Sequence, residues 1–129
     1  MLKKTMTYED FNGEERTEDF YFNLTKAELM EMNLTTEGGL DKLIEKIVNT
    51  KDIPQIVKIF KKIVLKAYGV KSDDGKRFIK SKELTDEFTQ TNAYSDLFTA
   101  LATDDEEAAK FINAIVPADI SNEMNKNKA

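Results

Sequence analysis

The 129-residue chain contains no histidine and no cysteine. Without cysteine there is no disulfide framework, no thiol nucleophile and no thiolate metal site, which fits a reducing compartment. The missing histidine removes the usual general base near neutral pH, the commonest metal ligand and the obvious pH switch together. Catalysis is therefore not expected, and neither is a cofactor or a metal. Long apolar runs are also lacking: nothing approaches the roughly 20 residues that span a bilayer. Met1-Leu2-Lys3-Lys4 leads into threonines and acids rather than the apolar stretch of a signal peptide. Net positive charge is missing as well. At a formal charge of −5 the chain repels phosphate backbones and anionic lipid, so neither nucleic acid nor membrane is an expected partner.

What is present suits a small folded domain. Apolar residues make up 40% of the chain and charged ones 33%. A chain of this length can bury roughly two thirds of its unfolded surface without a covalent staple. The expectation is one domain over residues 1–120, with a disordered tail at 121–129 where Met124 is the one large apolar side chain.

The first segment reads as a β-hairpin over residues 2–24. Asn12-Gly13 is a strong turn signal because both residues tolerate positive φ. A loop of only those two would split the aromatic residues between faces. A three-residue loop, Phe11-Asn12-Gly13, sets Tyr8 opposite Arg16, Met6 opposite Glu18, Lys4 opposite Phe20 and Leu2 opposite Phe22. Leu2, Met6, Tyr8, Phe20, Phe22 and Leu24 then share one face, and a one-residue slip would send half of them to water. Two strands alone are marginal, so this face must cover helices.

A helical bundle is expected over residues 26–116. Thr25-Lys26-Ala27-Glu28 forms a capping box that starts a short helix over 26–32. After Gly38-Gly39, Leu40, Leu43, Ile44 and Ile47 recur at helical spacing. Asp52 can cap the next helix, with Pro54 tolerated in its first turn. Its stripe of Ile53, Ile56, Val57, Phe60, Ile63, Val64 and Ala67, widened by Ile59, is broad enough for a central helix. Gly69 is expected as its left-handed C-terminal cap. Residues 72–75 are a turn and 76–80 an extended link or short strand. Ser81 caps a helix over 82–90 with a thin core face, Leu84 and Phe88. Thr91 or Asn92 begins another over 93–102, facing inward with Tyr94, Leu97, Phe98 and Leu101. Thr103-Asp104-Asp105-Glu106 reads as a second capping box, before a helix that uses Ala108, Phe111, Ile112 and Ile115 and ends ahead of Pro117. The fold class is thus α+β, mostly α: an N-terminal hairpin packed on a bundle of about five or six short helices.

The acid clusters, Glu14-Glu15, Asp73-Asp74 and residues 104–107, sit where exposed acids are ordinary: a hairpin tip, a turn and a helix start. Asp73-Asp74-Gly75 lacks the alternating oxygens and closing glutamate of a calcium loop. Gly38-Gly39 has neither phosphate-loop nor dinucleotide spacing, and Glu37 and Asp41 repel anions. Lys58, Lys61, Lys62 and Lys66 form a strip without the interleaved aromatics of a single-strand binder, so they read as a solvated face. The remaining clue is apolar surplus. Leu29, Met30, Met32 and Leu65, with the aromatic hairpin face, are the candidate partner-binding surface, and methionine suits surfaces that adapt to varied ligands. Leu65 stands out because it falls among the lysines.

Several stretches resemble the tail assembly chaperones of long-tailed phages of Gram-positive bacteria: TEDFYFNLTKAE at 17–28, TEGGL at 36–40, LKAYGVKS at 65–72, GKRFIKS at 75–81, FTQTNAYSDLF at 88–98 and IVPAD at 115–119. The similarity runs over about residues 7–120, and its specificity rests on the number and order of the matches. The resemblance implies a protein that coats the tape measure protein and recruits tail tube subunits to it. It implies action in the cytoplasm of the host bacterium and absence from the mature virion. It also implies a longer frameshift product of the same gene as a partner, alongside self-association. Lys126-Asn127-Lys128 is compatible with an A-rich codon run at which slippage is easy. The alternatives are a structural tail or connector component of the virion and a small adaptor that binds a host protein.

Overall fold

A computed structural model of the protein describes residues 1–31 and 53–117. At the hairpin tip Gly13 takes a φ of 79°. The Asp10 amide donates to the Glu14 carbonyl at 2.8 Å and the Gly13 amide to the Asp10 carbonyl at 3.1 Å, leaving a loop of three residues. That loop sets the register of β1 (Leu2–Glu9) and β2 (Glu15–Phe22): Tyr8 opposite Arg16, Met6 opposite Glu18, Lys4 opposite Phe20 and Leu2 opposite Phe22, as expected. Met6, Phe22 and Leu24 are buried, and Leu2, Tyr8 and Phe20 pack partly buried against the same core.

The sheet has four strands rather than two. Helix α2 (Ile53–Ala67) runs straight into β3 (Tyr68–Lys71), which turns back as β4 (Phe78–Ile79). The order is β1-β2-β3-β4, all neighbours antiparallel, with Phe22 opposite Tyr68 and Val70 opposite Ile79. Gly69 is therefore not a helix cap. It is a strand residue opposite Tyr21 and is not among the positive-φ glycines. Its missing side chain has a different reason. A Cβ there would lie 2.6 Å from a Phe78 ring carbon and 2.9 Å from the Ile79 carbonyl oxygen, so only hydrogen lets β4 approach.

Five helices occur among the described residues: α1 (Lys26–Glu31), α2, α3 (Lys82–Thr89), α4 (Asn92–Thr103) and α5 (Asp105–Ile115). The capping box of α1 is formed as expected: the Glu28 amide donates to the Thr25 hydroxyl at 3.2 Å, and the Thr25 amide donates to the Glu28 carboxylate at 3.0 Å. Ser81 caps α3 and Thr91 caps α4, each hydroxyl accepting an amide of the first turn. The cap of α5 is Asp104 and not Thr103. Thr103 is still helical and its hydroxyl donates to the Thr99 carbonyl at 2.7 Å. Asp104 is extended and its carboxylate accepts from the amides of Glu106 and Glu107.

One core joins sheet and helices. Phe60, Ile63, Val64 and Ala67 of α2 are buried with Phe88 of α3, Ala93, Leu97 and Leu101 of α4, and Ala108, Phe111, Ile112 and Ile115 of α5. Each large side chain so buried contributes roughly 1.5–3 kcal/mol. Phe22 sits at the junction, with ring centroids 5.3 Å from Phe111, 5.9 Å from Phe88 and 5.9 Å from Tyr68. The expected helix around Leu40, Leu43, Ile44 and Ile47, Gly38-Gly39, the Asp52 cap, the side chains of Ile53 and Ile56, Met32 and the tail at 121–129 lie outside the described residues.

Candidate partner-binding surface

Helix α1 is short, and what fixes its direction is a lysine from elsewhere in the chain. Lys80 follows β4, and its ammonium donates three hydrogen bonds: to the Asn23 carbonyl at 2.7 Å, the Lys66 carbonyl at 2.6 Å and the Glu28 carboxylate at 2.5 Å. An ammonium has three donors, so all are used. The Lys66 carbonyl belongs to the last turn of α2, where cations are favoured by the exposed carbonyl dipoles. Burial pulls Lys80 below the ordinary lysine range, against the opposing pull of Glu28. Burial also works against the charge on Glu28, but the hydrogen bonds from Lys80 and from Thr25 outweigh it and hold the carboxyl below its usual range.

This anchor rotates α1 into place and decides which of the candidate residues are accessible. Leu29 points into the core and is fully buried, so it does not belong to an outer surface. Met30, one residue and about 100° further round the helix, is 64% exposed. Leu65 is not left over among the lysines: it is partly buried and packs against the core. Glu31 pairs with Lys66 at 3.4 Å, which ties the end of α1 beside the end of α2. The aromatic hairpin face likewise turns inward.

A second apolar residue stands in water at the opposite end of the hairpin. Phe11 is 80% exposed, yet its loop is highly ordered by Asp10. The Asp10 carboxylate accepts from the amides of Asn12 at 2.9 Å and Glu14 at 3.0 Å, and from the Arg16 guanidinium at 2.7 Å. The Arg16 bond and those amides keep the Asp10 carboxyl below its usual range. Phe11 was absent from the expected surface, although the preferred three-residue loop already placed it at the apex. Met1 and Val70 are the other large apolar residues exposed among those described.

Among the described residues no three carboxylates gather as a metal site would require, and no helix is long and apolar enough to cross a membrane. The fold thus defines a small α+β domain that shows the solvent isolated apolar side chains on well-anchored elements. The chain belongs to the phage tail assembly chaperone family, whose model matches residues 1–129. No curated protein and no solved structure matches the chain.

Proposed function

We propose that this chaperone binds the tape measure protein and recruits tail tube subunits to it during tail assembly. Family membership supplies the general role; the observation that supports this client is the placement of Phe11 and Met30. Both are large apolar side chains held in water by elements that hydrogen bonds lock in place, which is how a partner-binding anchor is presented. An unassembled tape measure protein exposes long apolar helical stripes that aggregate unless covered. An apolar helix can be laid against such anchors and later released, and methionine adapts to the differing side chains along it. Binding has to be moderate, because permanent burial would block tube assembly. A longer frameshift product and further copies of this chain are proposed as additional partners, the host cytoplasm as the place of action, and the mature virion as the place from which the chain is absent.

Quantitative mass spectrometry of infected lysate and purified particles tests this reading. The chain should be abundant in lysate and missing from particles. A fixed copy number in particles would instead make it a structural tail or connector component. Capture of a bacterial protein in uninfected cells, with no tail protein bound during infection, would make it a host-directed adaptor.

A further inference from the structure

A cavity of about 300 Å³ opens to the surface between the hairpin, β3 and α3. Four aromatic residues line it: Tyr8, Phe20, Tyr68 and Phe88. They are fixed by one another, with Tyr68 stacked on Phe88 at 4.2 Å between centroids and Phe20 5.5 Å from Phe88. Three carboxylates and a threonine complete the lining: Glu18 and Asp19 from the sheet, Glu87 from α3, and Thr91.

The charge of this cavity is only partly compensated: Asp19 pairs with Lys3 at 3.5 Å and accepts the Thr5 hydroxyl at 2.6 Å. No lysine or arginine lines it. Among the described residues neither Glu18 nor Glu87 takes part in an ion pair: Glu18 accepts the Tyr8 hydroxyl, and Arg16 is held by Asp10 at 2.7 Å. Burial first, then the charges of Glu87 and Glu18, push the Tyr68 phenol up, so both carboxylates act on the same ring. Aromatic rings and carboxylates around one space select a cation, because ring faces and carboxylates both attract positive charge. The volume stands at the lower end of ligand pockets, roughly 300–1,000 Å³, which suits a single long side chain.

We propose that this cavity receives a cationic side chain of a protein partner, arginine in preference to lysine. A guanidinium is flat, stacks on aromatic rings and meets carboxylates through a fixed fork of donors, whereas an ammonium is a compact and more strongly hydrated charge. A protein side chain is the source because the family works by assembling with proteins; the identity of the tail client does not enter. The cavity would fix the register of a partner segment, while Phe11 and Met30 supply apolar anchorage elsewhere.

The test is an NMR titration of the full chain with N-acetyl-arginine amide, with N-acetyl-citrulline amide as the neutral isostere and choline as a free small cation. Ring resonances of Tyr8, Phe20, Tyr68 and Phe88 should shift saturably with the arginine compound, and citrulline should bind about fivefold or more weakly. Glu87→Gln and Glu18→Gln should each weaken arginine binding by about threefold to tenfold. Glu14→Gln, which removes the same charge outside the cavity, should change it less than twofold. Absence of saturable ring shifts, equal binding of citrulline, or equal weakening by Glu14→Gln would overturn the proposal. Tighter binding of choline than of the arginine compound would overturn the side-chain assignment in favour of a small cation. None of these results depends on whether the tape measure protein is the client.

Discussion

Lys80 and Glu28 lie 52 residues apart in sequence and 2.5 Å apart in space. The same ammonium reaches the carbonyls of Asn23 and Lys66, so one side chain closes the junction of hairpin, α1 and α2. Lys80→Met should destabilise the domain by about 2–4 kcal/mol, because it leaves one carboxylate and two carbonyls partly buried without a donor. Urea unfolding measures this. Adding Glu28→Gln to that variant should recover part of the loss, since the unpaired charge is then gone; a double variant as unstable as the sum of the singles would show that the two residues do not act together.

The same junction predicts an acid limb. Glu28 titrates below its ordinary value of 4.5 in the folded chain, so its contribution is fully present above that pH and is lost as pH falls through the depressed folded value. The difference in melting temperature between wild type and Glu28→Gln should be largest near pH 7 and shrink towards pH 3. A difference that stays constant over this range would contradict the assignment.

Gly69→Ala should cost more than the usual glycine-to-alanine change in a strand, about 1–3 kcal/mol, because the added carbon meets both the Phe78 ring and the Ile79 carbonyl oxygen. Combining it with Phe78→Ala should relieve only part of the strain between these two positions, since the backbone oxygen at 2.9 Å remains. Thermal melts of the single and double variants decide this.

Phe11→Ser should leave stability within about 0.5 kcal/mol of wild type, since the side chain is 80% exposed. It should nonetheless weaken client binding several-fold. By contrast, Gly13→Ala should cost about 1 kcal/mol through its positive φ of 79°. Calorimetry separates the two effects. A Phe11→Ser variant that binds the client as well as wild type would remove the hairpin tip from the binding surface.

Local rules read this chain well wherever the reason for a structure lies within a few residues of it. The hairpin register followed from one loop and an alternating face, the Thr25–Glu28 box from four residues, and the inward face of α5 from a simple period. What depended on distant partners was not legible. Strand β3 was not expected, because nothing within Tyr68–Lys71 tells that β2 offers it an edge, whereas the two residues of β4 fall within the extended link or short strand expected at 76–80. Gly69 looked like a helix stop because glycine commonly ends helices, whereas its neighbour Phe78 supplies the actual reason. Thr103 and Asp104 are both good caps, and the length of α4 chose between them. Of the expected binding surface, Met30 is exposed while Leu29 is buried in the core and Leu65 packs against it; Phe11 sits in a turn, where no periodicity marks an apolar residue as exposed. The acidic aromatic cavity joins Glu18 and Glu87 across 68 intervening positions, a pairing that no motif in the chain announces.

The most direct measurement is the solubility of the tape measure protein when it is produced with and without this chain. Co-production should move most of the tape measure protein from the pellet to the soluble fraction, in a complex that co-elutes on size-exclusion chromatography. The double variant Phe11→Ser/Met30→Ser should lose most of that rescue while remaining folded. A tape measure protein that is equally insoluble in the presence of the wild-type chain, with no complex eluting, would contradict the account.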